Sequence, residues 1–470
     1  MVPERLAAVL AELAPVAERF EVAGRRVYLV GGIVRDLLLG RAVRPDDDFD
    51  LTTDARPDEI EDLVRPMAEA VWLQGKRFGT VGCKVAGRAL EITTHRAEAY
   101  VRDSRKPEVR FADAVEADLS RRDFTVNAMA LRLSAEAAAG DVELIDPFSG
   151  AADLAAGRLR TPLDPETSFT DDPLRMLRAA RFIAGYGLRP DPELVAAVES
   201  LHDRLEIVSA ERIRDELDRL VVVERPGPGL WFLVDTGLAG EFLPELSALR
   251  LAQDPGHRHK DVLAHTVAVV ERVVPADDRI VRLAALFHDV GKPKTRSFEP
   301  GGKVTFHHHE VVGARMTRER MTALRYPSDD VEQVSRLVEL HLRFHGYDEG
   351  EGGWTDSAVR RYARDAGPLL RQLNALTRAD CTTRNRRKAA ELAARMDKLE
   401  ARIAALEEAE ELAALRPDLD GNQVMRHLGV GPGPVVGEAM AFLKELRIEE
   451  GPLGEEEALR RLDAWWAGRR

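Results

Sequence analysis

Two aspartates near the N-terminus have the spacing of paired metal ligands. Asp48 and Asp50 close the acidic run RPDDDFDLTT, which spans Arg44–Thr53. Side chains alternate between the two faces of a β-strand, so in a strand these carboxylates would share one face, with Cα atoms roughly 7 Å apart. Carboxylates this close repel each other unless a cation lies beside them. The pattern therefore predicts a divalent metal site, or alternatively a solvated acidic turn, because turns also favour aspartate.

An EF-hand calcium site is excluded by two positions of the same segment. An EF-hand loop starting at Asp46 needs glycine at its sixth position and glutamate at its twelfth. The sequence has Leu51 and Pro57 at these positions. The strand interpretation of Asp48 and Asp50 therefore stays the relevant one.

A possible anion site precedes the aspartates. In RRVYLVGGIVRDLLLG, the β-formers of 26–30 predict a strand, and Ile33, Leu37 and Leu38 have helical spacing. Gly31 and Gly32 allow a tight turn or a close backbone approach to a ligand. A helix that starts there offers free N–H groups to a triphosphate, although an ordinary strand–helix turn has the same pattern. A metal and a triphosphate need each other, so the two motifs together favour nucleotide chemistry.

These two motifs together resemble a known family. LVGGIVRDLLLG followed by DDDFDLTT is similar to the opening of the bacterial (class II) tRNA nucleotidyltransferase and poly(A) polymerase family, whose motifs are GGxVRDxLLG and DxDxxT. The resemblance implies that Asp48 and Asp50 are catalytic and hold Mg²⁺ ions. It also implies that the triphosphate site is lined by Gly31, Gly32, Arg35 and Asp36.

Further motifs of the same family follow along the chain. LSRRDFTVNAMAL matches RRDFT[IV]NA, and the resemblance implies that Arg122, Asp123 and Asn127 contact the ribose and the triphosphate. Aspartate can accept hydrogen bonds from both ribose hydroxyls, and arginine neutralises phosphate charge. Taken alone, the Arg-Arg-Asp triplet could equally be an exposed salt-bridge cluster.

FTDDPLRMLRAARF resembles the family pattern EDxLRxLRAxRF, with Asp171 in place of the usual glutamate. The nucleotide-binding residues implied here are Asp171, Asp172, Arg175 and Arg178. We expect Asp172 and Arg175 to share a helix face and to read the Watson–Crick edge of cytosine or adenine, since both bases carry an exocyclic amine. Alternatively, Asp172 is only a helix N-cap before Pro173.

The segment between these motifs predicts one more strand and one loop. Leu90–Thr94 has strand character and carries Glu91, a further candidate carboxylate near the metals. The charged segment from His95 to Arg110 contains Pro107 and is expected to be a mobile loop. It resembles the flexible loop that CCA-adding family members keep and CC-only members lack.

A second set of metal-binding residue types lies farther along. Nine of the twelve histidines fall between His257 and His345. Imidazole and carboxylate together suit one or two divalent metal ions that activate water. The order of these residues resembles an HD domain and implies a site for a transition metal or Mg²⁺, made by His265, His288, Asp289, His309, His341 and Asp380.

Composition limits the remaining choices. The chain has 470 residues, which predicts two to four domains, and its formal charge of −13 argues against attraction of nucleic acid by the whole surface. The two cysteines form neither a disulfide framework nor a zinc motif, so a cytoplasmic protein is expected. No apolar run approaches the ~20 residues that span a bilayer, and MVPERLAAVLAEL predicts a helix and not a signal peptide.

The fold expected is α+β. An N-terminal α/β nucleotidyltransferase head with a mixed β-sheet (1–150) would be followed by an all-α neck (151–245), body with the HD domain (246–390) and tail (391–470). The resemblance implies template-independent addition of CCA to the tRNA 3′ end from CTP and ATP, with tRNA as partner and with an additional HD phosphohydrolase activity. Two alternatives are a poly(A) polymerase of the same family, which uses only ATP, and an HD phosphohydrolase whose head only binds RNA.

Overall fold

The computed structural model describes residues 4–99, 108–134, 142–251, 261–300, 304–346, 354–381, 386–410 and 416–469. The chain divides into two compact units, Met1–Pro244 and Glu245–Arg470. The four-domain boundaries given above stay a prediction. None of the helices in the described ranges is long and apolar enough to cross a membrane.

A seven-stranded mixed sheet, in the order β3-β4-β5-β2-β1-β8-β9, is the centre of the first unit. Strand β2 is parallel to β5 and antiparallel to β1, and the remaining pairs are antiparallel. The predicted mixed sheet is therefore confirmed. Its strands are β1 (Val27–Val30), β2 (Phe49–Thr53), β3 (Ala70–Trp72), β4 (Thr80–Val85), β5 (Arg88–Thr94), β8 (Ala130–Leu133) and β9 (Leu144–Ile145).

The alternation of the central strands decides which side chains reach the functional face. In β2 and β5, Phe49, Leu51, Leu90 and Ile92 are buried in the core. The intervening carboxylates therefore project from the opposite face of the sheet. Strand β2 begins at Phe49, so Asp48 directly precedes the strand. The prediction that Asp48 and Asp50 alternate within one strand is therefore wrong for Asp48.

The segment after β5 contains two strands, where the sequence predicts a loop. Strands β6 (Arg96–Ala99) and β7 (Glu108–Phe111) pair antiparallel as a separate two-stranded sheet. The middle of the predicted mobile loop, 100–107, lies outside the described residues. Backbone hydrogen bonding between the two arms is the reason that the charged sequence forms strands there.

Helices complete the first unit. Five of them belong to the head: α1 (Glu4–Val22), α2 (Gly32–Leu38), α3 (Pro57–Val64), α4 (Val115–Ser120) and α5 (Gly150–Ala156). Six follow: α6 (Pro165–Asp171), α7 (Leu174–Tyr186), α8 (Pro192–Leu201), α9 (Ala210–Val221), α10 (Gly227–Asp235) and α11 (Leu238–Phe242), together with the short strands β10 (Arg158–Leu159) and β11 (Arg189–Pro190). The helix predicted at the N-terminus corresponds to α1.

The second unit is almost entirely helical, as predicted. Its helices are α12 (Pro244–Ala248, which starts at the boundary), α13 (Val262–Arg272), α14 (Arg279–Phe287), α15 (Lys292–Thr295), α16 (His309–Ala323), α17 (Ser328–Leu340), α18 (Asp356–Ala366), α19 (Leu370–Asp380), α20 (Arg386–Glu410), α21 (Gly421–Leu428), α22 (Pro434–Glu450) and α23 (Glu455–Ala467). A short hairpin pairs β12 (Ser297–Phe298) with β13 (Val304–Thr305).

Candidate functional site

Two carboxylates are neighbours on the exposed face of the head sheet, and Asp48 directly precedes the strand of one of them. Asp50 in β2 is the register partner of Glu91 in β5, so their side chains are neighbours on the same face. The pKa of the Glu91 carboxyl is raised mainly by burial, and the negative charges of Asp50 and Asp48 raise it further. The structure places Glu91, the further carboxylate named from the sequence, beside Asp50; the metal-binding role of the three carboxylates stays a prediction.

The charge on Asp50 is held in an unfavourable environment. Partial burial among neighbouring side chains raises the pKa of the Asp50 carboxyl; the positive charge of Arg122 opposes this effect, whereas the negative charge of Asp48 adds to it. A divalent cation would relieve this repulsion, and carboxylate oxygens are ligands that Mg²⁺ prefers. The residues present therefore fit a metal ion.

The turn after β1 brings backbone against these groups. Gly31 has φ +79°, and a Cβ there would lie 3.0 Å from Nη1 of Arg122 and 3.5 Å from Oδ2 of Asp50. A side chain would both strain the backbone and fill the space between the arginine and the aspartate. The glycine expected from the sequence is thus required by the conformation and by the close approach.

A cavity of about 330 Å³ opens beside Asp50. Basic side chains outnumber acidic ones in its walls, which suits a polyanionic ligand. The lining residues are Gly31, Gly32, Asp50, Arg121, Arg122, Asp123, Asn127, Asp172, Leu174, Arg175, Arg178 and Arg212. Nine of these twelve were expected from the sequence; among the described residues, the expected Asp48, Arg35, Asp36 and Asp171 do not line this cavity.

Asp123 is the best-connected carboxylate of the cavity. Its Oδ1 accepts hydrogen bonds from Nδ2 of Asn127 and from the backbone N–H of Phe124, both over 2.9 Å, and its Oδ2 accepts one over 2.9 Å from Nε of Arg178. Burial works against its charge, but Arg178 and Asn127 outweigh that effect and lower the pKa of Asp123 to about 2. This carboxylate is therefore ionised and fixed in orientation.

Arg35 lies one layer behind the cavity wall. Its side chain is buried, and its Nη1 donates to Oδ1 of Asn127 over 2.7 Å. The guanidinium also lies 4.0 Å from the ring centroid of Tyr186 and forms an ion pair of 2.9 Å with Asp36. Arg35 thus positions Asn127, and direct contact of Arg35 or Asp36 with a triphosphate stays a prediction.

The two arginines of the RRD motif share a buried anchor. Asp118 accepts from Nη2 of Arg121 over 2.8 Å and from Nη2 of Arg122 over 3.3 Å. Burial opposes the charge of Asp118, but the two guanidinium groups outweigh it and lower its pKa. Asp118 fixes the direction in which both arginines enter the cavity.

The base-reading pair does not have the helical geometry that the sequence suggested. Asp172 has extended backbone and Pro173 is the N-cap of α7, so of the two residues only Arg175 is on the helix. Arg175 is buried and donates to Oγ of Ser168 over 2.8 Å and to the backbone carbonyl of Arg121. Both residues nevertheless line the cavity.

Arg212 from α9 is the partner of Asp172 that sequence reasoning missed. Its Nη2 donates to Oδ2 of Asp172 over 3.1 Å and lies 3.4 Å from Oδ1. Oδ1 also accepts the backbone N–H of Leu174 over 3.3 Å, a weak version of the cap considered above. Forty residues separate Arg212 from Asp172, so no local spacing signals the pair. Arg121 was detectable, because it adjoins Arg122.

The second unit assembles the imidazoles predicted as metal ligands. Nε2 of His265 lies 3.3 Å from Nε2 of His288 and 2.9 Å from Oδ1 of Asp380, and Asp289 lies between the rings. The Asp289 carboxylate is 3.2 Å from Nε2 of His288 and 3.4 Å from Nε2 of His309. The six residues are supplied by α13, α16, α19 and the C-terminal ends of α14 and α17.

Three of the histidines are oriented in the same way. Nδ1 of His288, His309 and His341 is 2.8, 2.7 and 2.6 Å from the carbonyl oxygen three residues earlier, so Nδ1–H is the donor. This leaves each Nε2 as a lone-pair donor directed at the cluster, which is how metal-bound histidines are usually held. Burial lowers the pKa of His341 to about 3, which keeps this imidazole neutral.

These residues fit a metal centre. Within the described part of the chain, Nε2 of His309 and of His341 is buried without a hydrogen-bond partner. Two groups of three residues each have their potential metal-binding atoms within 4.8 Å of one another. One group is His265, His288 and Asp289; the other is Asp289, His309 and His341. The head carboxylates are not this close together in the described residues. Lys292 donates to Oδ2 of Asp289 over 2.7 Å.

Three parts of the chain match known protein families. Residues 27–160 match the Poly A polymerase head domain, and residues 247–409 match the HD domain. Residues 187–249 match a probable RNA and SrmB binding site of polymerase A. The first match contains the carboxylates and the RRD motif, and the second contains all six predicted ligands of the HD site.

Relatives match over most of the chain. An A-adding tRNA nucleotidyltransferase of Deinococcus radiodurans is 36% identical over 364 residues, covering 75% of this chain and 80% of the relative. A CC-adding tRNA nucleotidyltransferase of Thermus thermophilus is 33% identical over 454 residues, covering 94% of each. The crystal structure of the Bacillus stearothermophilus CCA-adding enzyme in complex with CTP has the same fold, with a TM-score of 0.68, 23% identity and 98% of each chain covered. The chain therefore belongs to the bacterial tRNA nucleotidyltransferase and poly(A) polymerase family.

Proposed function

We propose that the head adds CMP, CMP and AMP in turn to the 3′ end of tRNA, using CTP and ATP without a nucleic-acid template. The observation that carries this proposal is one cavity that joins Asp50, the RRD arginines and the Asp172–Arg175 pair. A nucleotidyl transfer needs these three elements together: a metal-binding carboxylate, cations for a triphosphate and polar groups for a base. A cytoplasmic location agrees with this function and stays a prediction.

The head carboxylates Asp48 and Asp50, with Glu91 beside them, would hold Mg²⁺. Bound Mg²⁺ would favour ionisation of the tRNA 3′-hydroxyl and stabilise the charge of the departing pyrophosphate. The carboxylates would hold the ion on the face of the sheet beside the cavity, where it could bring that hydroxyl and the α-phosphate together. Arg121 and Arg122, held by Asp118, neutralise triphosphate charge and keep it oriented for in-line attack.

The remaining cavity residues select the nucleotide. Asp123 is ionised and already accepts four hydrogen bonds, from the backbone of Phe124, from Asn127 and from two nitrogens of Arg178. The contact with the ribose that the resemblance implies would therefore require a ribose hydroxyl to replace one of these donors. Asp172 would accept from the exocyclic amine of cytosine or adenine, and Arg175 would donate to the adjacent ring acceptors. Uracil and guanine present a carbonyl where Asp172 needs a donor.

The number of nucleotides added is a separate question, because relatives differ. The Deinococcus relative is named A-adding and the Thermus relative CC-adding. The segment from His95 to Arg110 resembles the loop that full CCA-adding members keep, so we propose complete CCA addition. A poly(A) polymerase with the same active site would need only ATP.

Three tRNA transcripts test this proposal: one that lacks CCA, one that ends in the first C and one that ends in the second C. With CTP and ATP together, all three should end as tRNA-CCA, and CTP alone should add two residues to the first transcript. If only the third transcript were extended, the enzyme would add A alone. If the first transcript stopped after two added residues, it would add CC alone. An unlimited tail made from ATP would indicate a poly(A) polymerase.

We further propose that the HD cluster is a metal-dependent phosphohydrolase site, with Mg²⁺ or a transition metal as its ion. The convergence of four Nε2 atoms and two carboxylates supports it. Lys292, beside Asp289, is placed to meet the negative charge of a phosphoester. Metal titration by calorimetry, compared with the His309→Ala/His341→Ala double variant, tests the ligand assignment, and loss of binding in the variant is expected.

A further inference from the structure

A row of register partners crosses the head sheet away from the nucleotide cavity. Asp50 pairs with Glu91, Glu91 with Gly82, and Gly82 with Trp72 on the neighbouring strand β3. Directly opposed residues point to the same face of a sheet. The two carboxylates and the position of Gly82 therefore share one face, and that face is opposite to the one packed by the buried Val81 and Cys83.

Trp72 covers Gly82 on this face. A Cβ built on Gly82 would lie 1.8 Å from Nε1 and 2.2 Å from Cε2 of Trp72, so the indole rests directly on the glycine backbone. Any other residue at this position would push the ring away. The indole is half-buried, so part of its surface stays accessible beside Glu91.

The indole and the nucleotide cavity lie on opposite sides of Asp50. The cavity is lined by Gly31 and Gly32, which follow β1, and β1 flanks β2 on the side away from β5. Trp72 lies beyond β5, with its indole over β4, about two strand spacings or ~10 Å from the strand of Asp50. Glu91 on β5 is nearer, one strand spacing or ~5 Å from β4, where the indole lies. A single ribonucleotide can bridge this shorter separation, with its base at the indole and its 3′-hydroxyl at the carboxylates.

We propose that Trp72 is the stacking platform for the 3′-terminal base of the acceptor RNA. This assignment rests on the proposed function, since a transfer reaction needs its second substrate on the other side of the metal-binding carboxylates. Stacking on an aromatic ring tolerates any base, because every base has a π-face. The platform would therefore serve an acceptor whose terminal base is not the same at every addition.

The test compares Trp72→Leu with wild type on two acceptors: tRNA lacking CCA, and the same tRNA without the base of its terminal nucleotide. Trp72→Leu should raise KM for the intact acceptor roughly five- to a hundredfold, and leave KM for CTP unchanged. Removal of the base should have the same effect in wild type and no further effect in Trp72→Leu. Trp72→Phe should restore most of the affinity, because it keeps an aromatic ring.

Leu73→Ala is the matched control, since Leu73 is the exposed next residue and should leave both KM values unchanged. Should Trp72→Leu fail to fold, Trp72→Met supplies a flexible side chain of comparable length for the same comparison. An unchanged KM for the intact acceptor in a folded variant would overturn the stacking role and leave the proposed function standing. A wild-type enzyme that extended no tRNA would contradict the proposed function itself and the acceptor role with it.

Discussion

The carboxylate of Asp172 is held by Arg212 of α9, whose guanidinium donates to it over 3.1 Å. This ion pair orients an acceptor toward the cavity in which we expect a base to lie. The pair also explains how an aspartate in extended backbone, outside α7, keeps a defined direction. Base choice is thus assigned to residues from two segments of the chain, with Arg212 in a positioning role.

Asp172→Ala is expected to weaken the rejection of UTP. Removing the acceptor should cut the discrimination of CTP and ATP against UTP by ~1–3 kcal/mol, on the order of ten- to a hundredfold. Single-nucleotide misincorporation rates measure this. The control is Asp164→Ala, which removes the N-cap of α6 and should cost ~1 kcal/mol of stability with nucleotide choice unchanged. If Asp172→Ala lowered the melting point but left UTP rejection intact, the base-reading role would be contradicted, and Asp172 would act only as a helix cap, like Asp164.

Asp123 should make stability depend on pH in the acid range. Its pKa is about 2 in the folded protein against 3.8 as its ordinary value, so its ion pair stabilises the fold fully above pH ~4 and loses effect as the pH falls toward 2. The contribution is roughly 2 kcal/mol, of which about 1 kcal/mol is lost by pH 3. Denaturant unfolding of wild type and Asp123→Asn between pH 6 and 3 should show their difference shrinking; a constant difference would contradict the assignment.

The HD cluster is expected to work independently of nucleotide addition. His288→Ala combined with Asp289→Ala should abolish metal-dependent phosphatase or phosphodiesterase activity, because the double variant removes two central ligands. Nucleotide addition to tRNA should stay near the wild-type rate, since the head contains its own carboxylates. Loss of addition in a variant that is still folded, as judged by circular dichroism, would show that the two sites are coupled.

Local patterns were sufficient to predict much of the head site. The Gly-Gly turn, the alternation around Asp50 and the contiguous RRD motif each depend on residues close in sequence, where backbone geometry decides side-chain direction. The predicted helix face for Asp172 failed because Pro173 and the extended backbone before it separate the two residues. The alternative that Asp172 precedes the helix at Pro173 agrees better with the structure, in which Oδ1 of Asp172 accepts the backbone N–H of Leu174.

Long-range pairings could not be predicted from the sequence. The partners of Arg35 and Arg212 lie 92 and 40 residues away, so their contacts depend on tertiary packing. The row from Asp50 to Trp72 depends on strand order, which places β4 and β3 beyond β5. Likewise, the carbonyl partners of the HD histidines follow from where each helix ends, and residue order alone does not determine this.

Nucleotide transfer by Asp48→Asn and Asp50→Asn tests the central claim most directly. Rates of CMP addition to tRNA lacking CCA and of AMP addition to tRNA ending in CC are measured under single-turnover conditions, with tRNA binding measured in parallel. Because one set of carboxylates serves every step, each variant should lose both additions while it still binds tRNA. Near-normal AMP addition by either variant would contradict a single head site for the whole reaction.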